Sequence, residues 1–197
     1  YPKRAPEEIA DSVKKVFGPI GQLEKKCDVM EVDSAYLCNN IEWAFKVWQE
    51  QPWNKHVTFD AFCEYILPYR IDDEPLTYWR EEYYEKYNPL LDSLRMSDKL
   101  DKENPIVAAN YLISRLPDKF RRNSTVAPYP FGHIGPKFVP NMTGTCRDRT
   151  DFGMYLLRAL GIPCAIDFIL GCDLANAGHF WLTAWDQNGR DCKTEFP

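Results

Sequence analysis

The sequence predicts an α+β fold, with helices first along the chain and a small antiparallel sheet last. Residues 6–117 contain several segments in which apolar residues recur at helical spacing. Residues 164–196 instead contain short apolar runs and a strong turn signal, a pattern typical of strands. We therefore expect a mainly α-helical part over residues 1–115 and a compact core over residues 116–197, and these parts are compatible with one continuous domain.

The composition of the 197-residue chain is that of a globular protein, with 45% hydrophobic and 27% charged residues. Its net charge of −5 argues against a nucleic-acid partner, which requires a basic surface. No stretch approaches the ~20 consecutive apolar residues of a membrane span. The chain begins at Tyr1 without an apolar signal region, so we expect a processed or trimmed form whose targeting peptide is out of view.

Five segments of the N-terminal part carry the marks of helices. The segment PEEIADSVKKVF begins with Pro and two acids, as helix N-termini often do. Asp33 and Thr58 are the expected N-caps of the next two helices. A long charged and aromatic helix is expected over residues 74–96 with a bend at Pro89, and a last helix ends before Pro117.

Residues 116–144 form an irregular segment that is rich in Pro and Gly. It is too long for an idle loop, so we expect it to lie over the body of the protein and to shape a cleft. Aromatic residues are candidates for lining that cleft, although each of them more commonly packs in a core. They are Tyr69, Tyr129, Phe131 and Trp181, and Arg70 joins them as a polar candidate.

A helix is expected from Thr145 to Leu160. Thr145 and Asp148 fit the capping box, and Gly161 followed by Pro163 is a stop signal. The run CAIDFILGC then predicts a buried strand. The segment HFWLTAWDQNGRDCKTEF predicts a hairpin with a two-residue turn at Asn188-Gly189.

Cys146 occupies the start of that helix, where a thiol is an uncommon choice. Unpaired backbone N–H groups and the positive end of the helix dipole meet there, and both favour the thiolate. The same N–H groups suit a developing oxyanion. Arg147 and Arg149 would support a thiolate, whereas Asp148 and Asp151 would oppose it. A small buried cysteine behind a cap is the alternative.

A nucleophilic cysteine needs a base within hydrogen-bond reach, and the base needs a group that orients it. The chain has three histidines. His56 is expected at the surface between helices, and His133 lies in the irregular segment, where a role at the cleft is the less common one. His179 opens the predicted hairpin, which gives a papain-like layout of Cys on a helix start and His on a neighbouring strand.

The segments GTCRDRTDFGMYLLRALGIPC and GHFWLTAWDQNGRDCKTEF resemble the core of the transglutaminase-like superfamily, over roughly residues 143–197. The shared pattern is Gly-x-Cys at a helix start, LLRALGIP, a strand, a His-x-Trp strand and an acid on the following strand. The upstream segment FCEYILPYRIDDEPLTYWR resembles exported bacterial members. The resemblance implies a papain/transglutaminase-like core, truncated at its C-terminus, in a protein exported to the bacterial cell envelope.

The resemblance also implies residue roles. Cys146 matches the family nucleophile and His179 the family base. The acid falls on Glu195, 16 residues after His179, where the family has Asp, and Asp191 is the rival. A strict two-residue turn would pair Glu195 with Leu182 rather than His179, so this assignment requires a bulge or a longer loop.

The implied activity is acyl transfer through a thioester on a protein, peptide or peptidoglycan-like substrate, without a cofactor. Hydrolysis is favoured over crosslinking because water is always present. Two alternatives stay open: a non-catalytic module of this fold that binds protein or glycan, and a metal site of Cys164, Cys172, His179 and Cys192. The seven cysteines include no CxxC pair, and their spacing leaves disulfide pairing open.

Overall fold

A computed structural model describes residues 6–18, 26–116, 133–141, 144–169, 171, 178–186 and 188–194. The predicted α+β class is confirmed, because helices occupy the first part and a three-stranded antiparallel sheet the last. The α-helices are α1 (Pro6–Phe17), α2 (Asp28–Glu31), α3 (Ser34–Glu50), α4 (Phe59–Ala61), α5 (Arg80–Tyr87), α6 (Asp92–Arg95), α7 (Pro105–Arg115) and α8 (Cys146–Ala159). The strands are β1 (Cys164–Ile169), β2 (His179–Trp185) and β3 (Asp191–Thr194).

The predicted N-caps of the early helices are confirmed. The Asp33 carboxylate accepts the Tyr36 N–H at 2.7 Å, and the Thr58 hydroxyl accepts the Ala61 N–H at 3.2 Å. Helix α4 continues as a π-helical turn over Phe62–Ile66. A single long helix over residues 74–96 is wrong: α5 is followed by a 3-10 turn at Asn88–Leu91 and then by α6, because Pro89 lacks the N–H that a continuous helix needs.

The sheet order is β1-β2-β3. Across β1 and β2, Ile169 lies opposite His179 and Cys164 opposite Ala184. Strand β1 is buried only at its first residue and is exposed from Asp167 to Ile169, so the prediction of a buried strand was wrong for its second half.

The hairpin turn is one residue longer than predicted. The N–H of Asp186 donates to the Arg190 carbonyl at 2.9 Å, so three residues separate the paired ends of the hairpin. The Asp186 carboxylate also accepts the N–H groups of Asn188 and Arg190, at 2.8 and 2.9 Å. Gly189 has φ of 72°, the conformation that closes such a loop.

One hydrophobic cluster combines side chains from both predicted parts of the chain. Its large buried members include Trp53, Trp79, Tyr83, Leu91, Leu112, Phe152, Tyr155, Leu156, Leu160 and Leu182. The indole N–H of Trp53 donates to the Leu160 carbonyl at 2.9 Å, which joins the helical part to the end of α8. Helix α8 therefore packs between the N-terminal helices and the sheet.

Two buried arginines fix residues 65–70 against α8. Arg80 donates to the carbonyls of Ile66 and Arg158 at 2.7 and 3.2 Å. Arg158 donates in turn to the carbonyls of Tyr65 and Arg70 at 3.2 and 3.1 Å. Burial, reinforced by the charge of Arg158, lowers the pKa of Arg80 to about 9.

No helix of the described ranges combines the length and apolar character that crossing a bilayer requires.

Candidate functional site

The predicted capping box at the start of α8 is confirmed. The Thr145 hydroxyl caps the Asp148 N–H, and the Asp148 carboxylate accepts the Thr145 N–H at 2.8 Å. A Cβ on Gly144 would lie 2.6 Å from the Asp148 Cβ. Glycine at this position is therefore required by the close approach of the capping side chain, and it explains the Gly-x-Cys pattern in physical terms.

Cys146 is the first residue of α8, and its thiol is free and partly exposed. Its carbonyl accepts the Thr150 hydroxyl at 2.7 Å. The N–H groups of Cys146 and Arg147 lie ahead of the first helical hydrogen bond and have no acceptor among the described residues. Two backbone donors and a thiol thus converge at one partly exposed point.

His179 is the first residue of β2 and is half-buried. Its ring centroid lies 5.9 Å from that of Trp181. Because successive strand side chains point to opposite faces, these two residues share one face, and Phe180 and Leu182 share the face that packs on α8. Within the described ranges, neither the His179 ring nor the Cys146 thiol makes a hydrogen bond, so their pairing stays a prediction.

Arg147 connects the two predicted site elements. Its guanidinium lies 5.8 Å from the centroid of the Phe180 ring, next to His179 in sequence. Phe180 stacks on Phe168 with centroids 5.7 Å apart, and Phe168 is 54% exposed. The first turn of α8 therefore lies beside the start of β2, although no hydrogen bond joins Cys146 to His179.

The acid candidates are resolved in part. Glu195 lies outside the described residues. Asp191 lies opposite Trp185, at the other end of β2 from His179. The third acid, Asp186, lies in the hairpin turn, where a hydrogen bond from the backbone N–H of Arg190 lowers the pKa of its carboxyl.

In the described residues, the positions of the cysteines do not support the alternative metal site that includes His179. Cys164 and Cys192 both lie opposite Ala184, five residues from His179 along β2. At about 3.4 Å per residue, this separation is roughly 17 Å. One metal ion cannot join them to His179, and Cys172 lies outside the described residues. The six described cysteines are free thiols.

The candidate cleft residues Tyr69 and Arg70 both contact Asp28. The Tyr69 hydroxyl donates to its carboxylate at 3.0 Å, and the Arg70 guanidinium pairs with the same group. Tyr129 and Phe131 lie outside the described residues. The structure thus places two of these candidates in a contact with α2, and Trp181 beside His179.

The structure brings an unforeseen histidine to α8. His133 is only 5% exposed, and its Nδ1 lies 2.5 Å from the Asp151 carboxylate on α8. Its Nε2 contacts the Arg147 guanidinium and lies 3.5 Å from the Asp72 carboxylate. This cluster of His133, Asp151, Arg147 and Asp72 is called the imidazole cluster below.

Burial governs the ionisation of the imidazole cluster. Burial raises the pKa of Asp151 from its ordinary value of 3.8 to about 6, although His133 opposes the shift. Burial also acts to lower the pKa of His133, but the hydrogen bond and charge of Asp151 outweigh it, so that this pKa is raised. One carboxylate oxygen of Asp151 is buried without a partner among the described residues.

Glu74 positions the acidic side of the imidazole cluster. Its buried carboxylate accepts the N–H groups of Ile71 and Asp72 at 2.7 and 2.8 Å and the Tyr155 hydroxyl at 2.6 Å. The loop so formed turns Asp72 and Asp73 towards His133. The backbone N–H of His133 donates to the Asp73 carboxylate at 3.0 Å.

Asp72, Asp73 and His133 place three potential ligand atoms within 4.8 Å of one another, a spacing that suits a metal ion. The Arg147 guanidinium already contacts His133 Nε2 and supplies a positive charge there. We therefore assign no metal to these residues.

Comparisons of the chain with protein-family models, curated protein sequences and solved structures found no match.

No spacing rule could have linked His133 to Asp151, because the chain between them passes through the irregular segment. The one local signal was the acid itself. Asp151 directly precedes Phe152 on the predicted apolar stripe of α8, and a carboxylate buried there requires a polar partner. In the structure Asp151 is fully buried.

Proposed function

We propose that the protein is a cysteine-dependent acyl-transfer enzyme that acts on a peptide or amide bond. The observation that carries the proposal is Cys146 itself, a free and partly exposed thiol at the first position of a capped helix. The helix packs on an antiparallel sheet, as the coarse form of a papain-like core requires. The resemblance of residues 143–197 to the transglutaminase-like superfamily supports the same chemistry.

In the proposed reaction, the Cys146 thiolate attacks the carbonyl carbon, and the negative oxygen accepts from the N–H groups of Cys146 and Arg147. The C–N bond then breaks, and the departing amine takes its proton from the His179 imidazolium. The neutral imidazole next removes a proton from water, which attacks the thioester and releases the acid. Glu195 is the proposed orienting group of His179.

Hydrolysis is the preferred outcome because water needs no dedicated binding site, whereas crosslinking needs a site that favours an amine. The proposed substrate is a protein, peptide or peptidoglycan-like polymer outside the cytoplasm of a bacterium. The lack of a hydrogen bond between the Cys146 thiol and the His179 ring, both within the described ranges, is compatible with this proposal, because catalytic hydrogen bonds often tighten only when substrate binds.

A non-catalytic binding module of the same fold is the second candidate. The observation that favours it is the placement of His179, whose ring shares a strand face with Trp181 and makes no hydrogen bond within the described ranges. Such a module predicts thiols of ordinary reactivity.

Limited alkylation separates the two candidates. The protein is treated with a limiting amount of iodoacetamide, and the modified cysteines are identified by peptide mass spectrometry. Cys63 and Cys192 are internal controls, because they are free thiols of similar, intermediate exposure. We expect Cys146 to react at least tenfold faster than either control, since a helix N-terminus favours the thiolate.

His179→Ala tests the base separately, and His56→Ala is its control, because His56 is exposed and pairs with Glu103. Loss of the fast reaction in the His179 variant alone supports the proposed pair. Equal rates at Cys146, Cys63 and Cys192 in the wild-type protein would contradict the enzymatic function.

A further inference from the structure

We propose that His133 is a positioning residue for the nucleophile: its ring, oriented by Asp151, holds the Arg147 guanidinium beside the first turn of α8. The inference rests on the proposed function of Cys146. It assigns a role to a buried histidine that the proposed reaction does not use.

The hydrogen-bond polarity of the imidazole cluster follows from its members. A guanidinium has donors and no acceptor, so the His133 Nε2 that it contacts must carry the lone pair. The proton then resides on Nδ1, which donates to the Asp151 carboxylate at 2.5 Å. Asp151 thereby selects the tautomer that can accept from Arg147.

The contact between His133 and Arg147 bears on the nucleophile because Arg147 is the next residue after Cys146. Arg147 follows Cys146 directly, and its guanidinium lies over the Phe180 ring. Its Nε is buried without a hydrogen-bond partner among the described residues, so the contact through Nη2 to His133 is the short polar contact that fixes the group. A fixed positive charge one residue from the thiol favours the thiolate.

Asp72 competes for the same imidazole nitrogen. Its carboxylate lies 3.5 Å from His133 Nε2 and 3.8 Å from the Arg147 guanidinium. A carboxylate can bind Nε2 only when that nitrogen is protonated, whereas Arg147 can bind it only when it is not. Protonation of His133 therefore exchanges its partner from Arg147 to Asp72.

Charged groups from two elements lie around the His133–Asp151 pair. The loop contributes Asp72, Asp73 and Glu74, and helix α8 contributes Arg147 together with Asp148, which acts on Asp151. Arg147 is the cation of this set. Its displacement would leave the acids of this set without a cation beside them, which disfavours the thiolate.

The first test reads the tautomer directly. In full-length protein labelled with ¹⁵N, long-range ¹H–¹⁵N correlation spectra of the imidazole are recorded at rising pH until the His133 ring shifts no longer change, so that its neutral form is read. We expect the Nδ1–H tautomer for His133 in the wild type. A dominant Nε2–H tautomer would overturn the proposal, because that form cannot accept from Arg147.

The second test measures Cys146 alkylation in Arg147→Gln, with Arg149→Gln as the matched control. The control removes the same charge from the same helix turn, at a side chain that makes no hydrogen bond or ion pair with His133. We expect a rate about fivefold lower in Arg147→Gln and nearly unchanged in Arg149→Gln. Equal effects in the two variants would overturn the proposal.

A pair of His133 variants separates positioning from folding. Asparagine places its amide nitrogen where Nδ1 was and can still donate to Asp151, but it offers no group at Nε2. Glutamine reaches the Nε2 position and can still accept from Arg147. We therefore expect His133→Asn to slow Cys146 alkylation as Arg147→Gln does, and His133→Gln to restore part of the rate. Equal rates in both variants contradict the positioning role.

The outcomes separate this inference from the proposed function. A fast wild-type Cys146 that is insensitive to Arg147→Gln overturns the inference alone. A wild-type Cys146 no faster than Cys63 and Cys192 overturns the proposed function, and the positioning role falls with it.

Discussion

Glu74 shows at the scale of one residue how a buried carboxylate determines a loop. It is 2% exposed, and its two oxygens accept from two backbone N–H groups and one tyrosine hydroxyl. No cation lies within ion-pair distance of it in the described ranges. Its partners are dipoles, so the loop conformation and the buried charge stabilise each other.

We expect Glu74→Ala to lower the free energy of unfolding by about 3 kcal/mol, because it leaves two part-buried backbone N–H groups and the buried Tyr155 hydroxyl without their acceptor. Glu74→Gln should have a smaller effect, since one oxygen remains. Urea unfolding followed by circular dichroism measures both. Glu85→Gln, at an exposed position of α5, is the control and should change stability by no more than about 0.5 kcal/mol.

Asp151 and His133 give the stability a defined pH dependence. The folded pKa of Asp151 is raised to about 6, so ionisation of Asp151 removes stability as pH rises from about 4 to about 6. The folded pKa of His133 is also raised, so its contribution is present below its unfolded value and is lost as pH rises above about 6.5. Both groups act in the same direction.

We therefore expect the stability of the wild type, relative to Asp151→Asn, to fall as pH rises from about 4 to about 7. The asparagine keeps an acceptor for His133 but does not titrate. Urea unfolding of both proteins across this range gives the difference. A constant difference would show that Asp151 has the same pKa in the folded and unfolded states.

The ends of α8 illustrate what local sequence can determine at the scale of an element. Thr145 and Asp148 form the predicted capping box, and Gly161 ends the helix with φ of 73°. The N–H of Ile162 donates to the Leu157 carbonyl at 2.9 Å, which completes a Schellman motif. These features were predictable because every partner lies within six residues.

We expect Gly161→Ala to destabilise the protein by about 3 kcal/mol. A left-handed conformation costs a non-glycine residue about 1–2 kcal/mol. The added Cβ would also lie 2.5 Å from the Asn54 amide nitrogen and 3.0 Å from the Val47 carbonyl oxygen. Thermal unfolding reports the loss.

Gly189→Ala is the matched control for this prediction. Gly189 has φ of 72°, but a Cβ there would meet no atom within 4 Å. We therefore expect Gly189→Ala to lose only the stability that a left-handed backbone conformation costs a non-glycine residue, about 1 kcal/mol. Similar losses in both variants would mean that Asn54 and Val47 move away without resistance.

Other elements depended on interactions that the sequence pattern did not reveal. The hairpin loop has three residues because the Asp186 carboxylate accepts from Asn188 and Arg190, which Asn188-Gly189 alone does not predict. The imidazole cluster joins residues from three separate segments. Cys146 and its helix could be predicted from neighbouring residues, whereas its surroundings depend on tertiary packing.

At the scale of the whole molecule, the two predicted parts share one core. Trp53, Trp79 and Tyr83 of the helical part pack with Tyr155 and Leu182. We expect residues 116–197, expressed alone, to lack a folded structure, because α8 would expose the face that these side chains cover. An amide NMR spectrum without dispersion would show this, and a dispersed spectrum with cooperative unfolding would contradict it.

The buried side chains of Arg80 and Arg158 make the two parts of the chain unfold together. Their guanidinium groups are solvated by carbonyls of residues 65–70 and of α8, and no carboxylate of the described residues lies within ion-pair distance of either. Neither charge can regain water until these segments separate. A state that opened only part of this region would hold a buried charge without its carbonyls, which is costly. Tryptophan fluorescence and far-ultraviolet circular dichroism should therefore report one coincident unfolding transition.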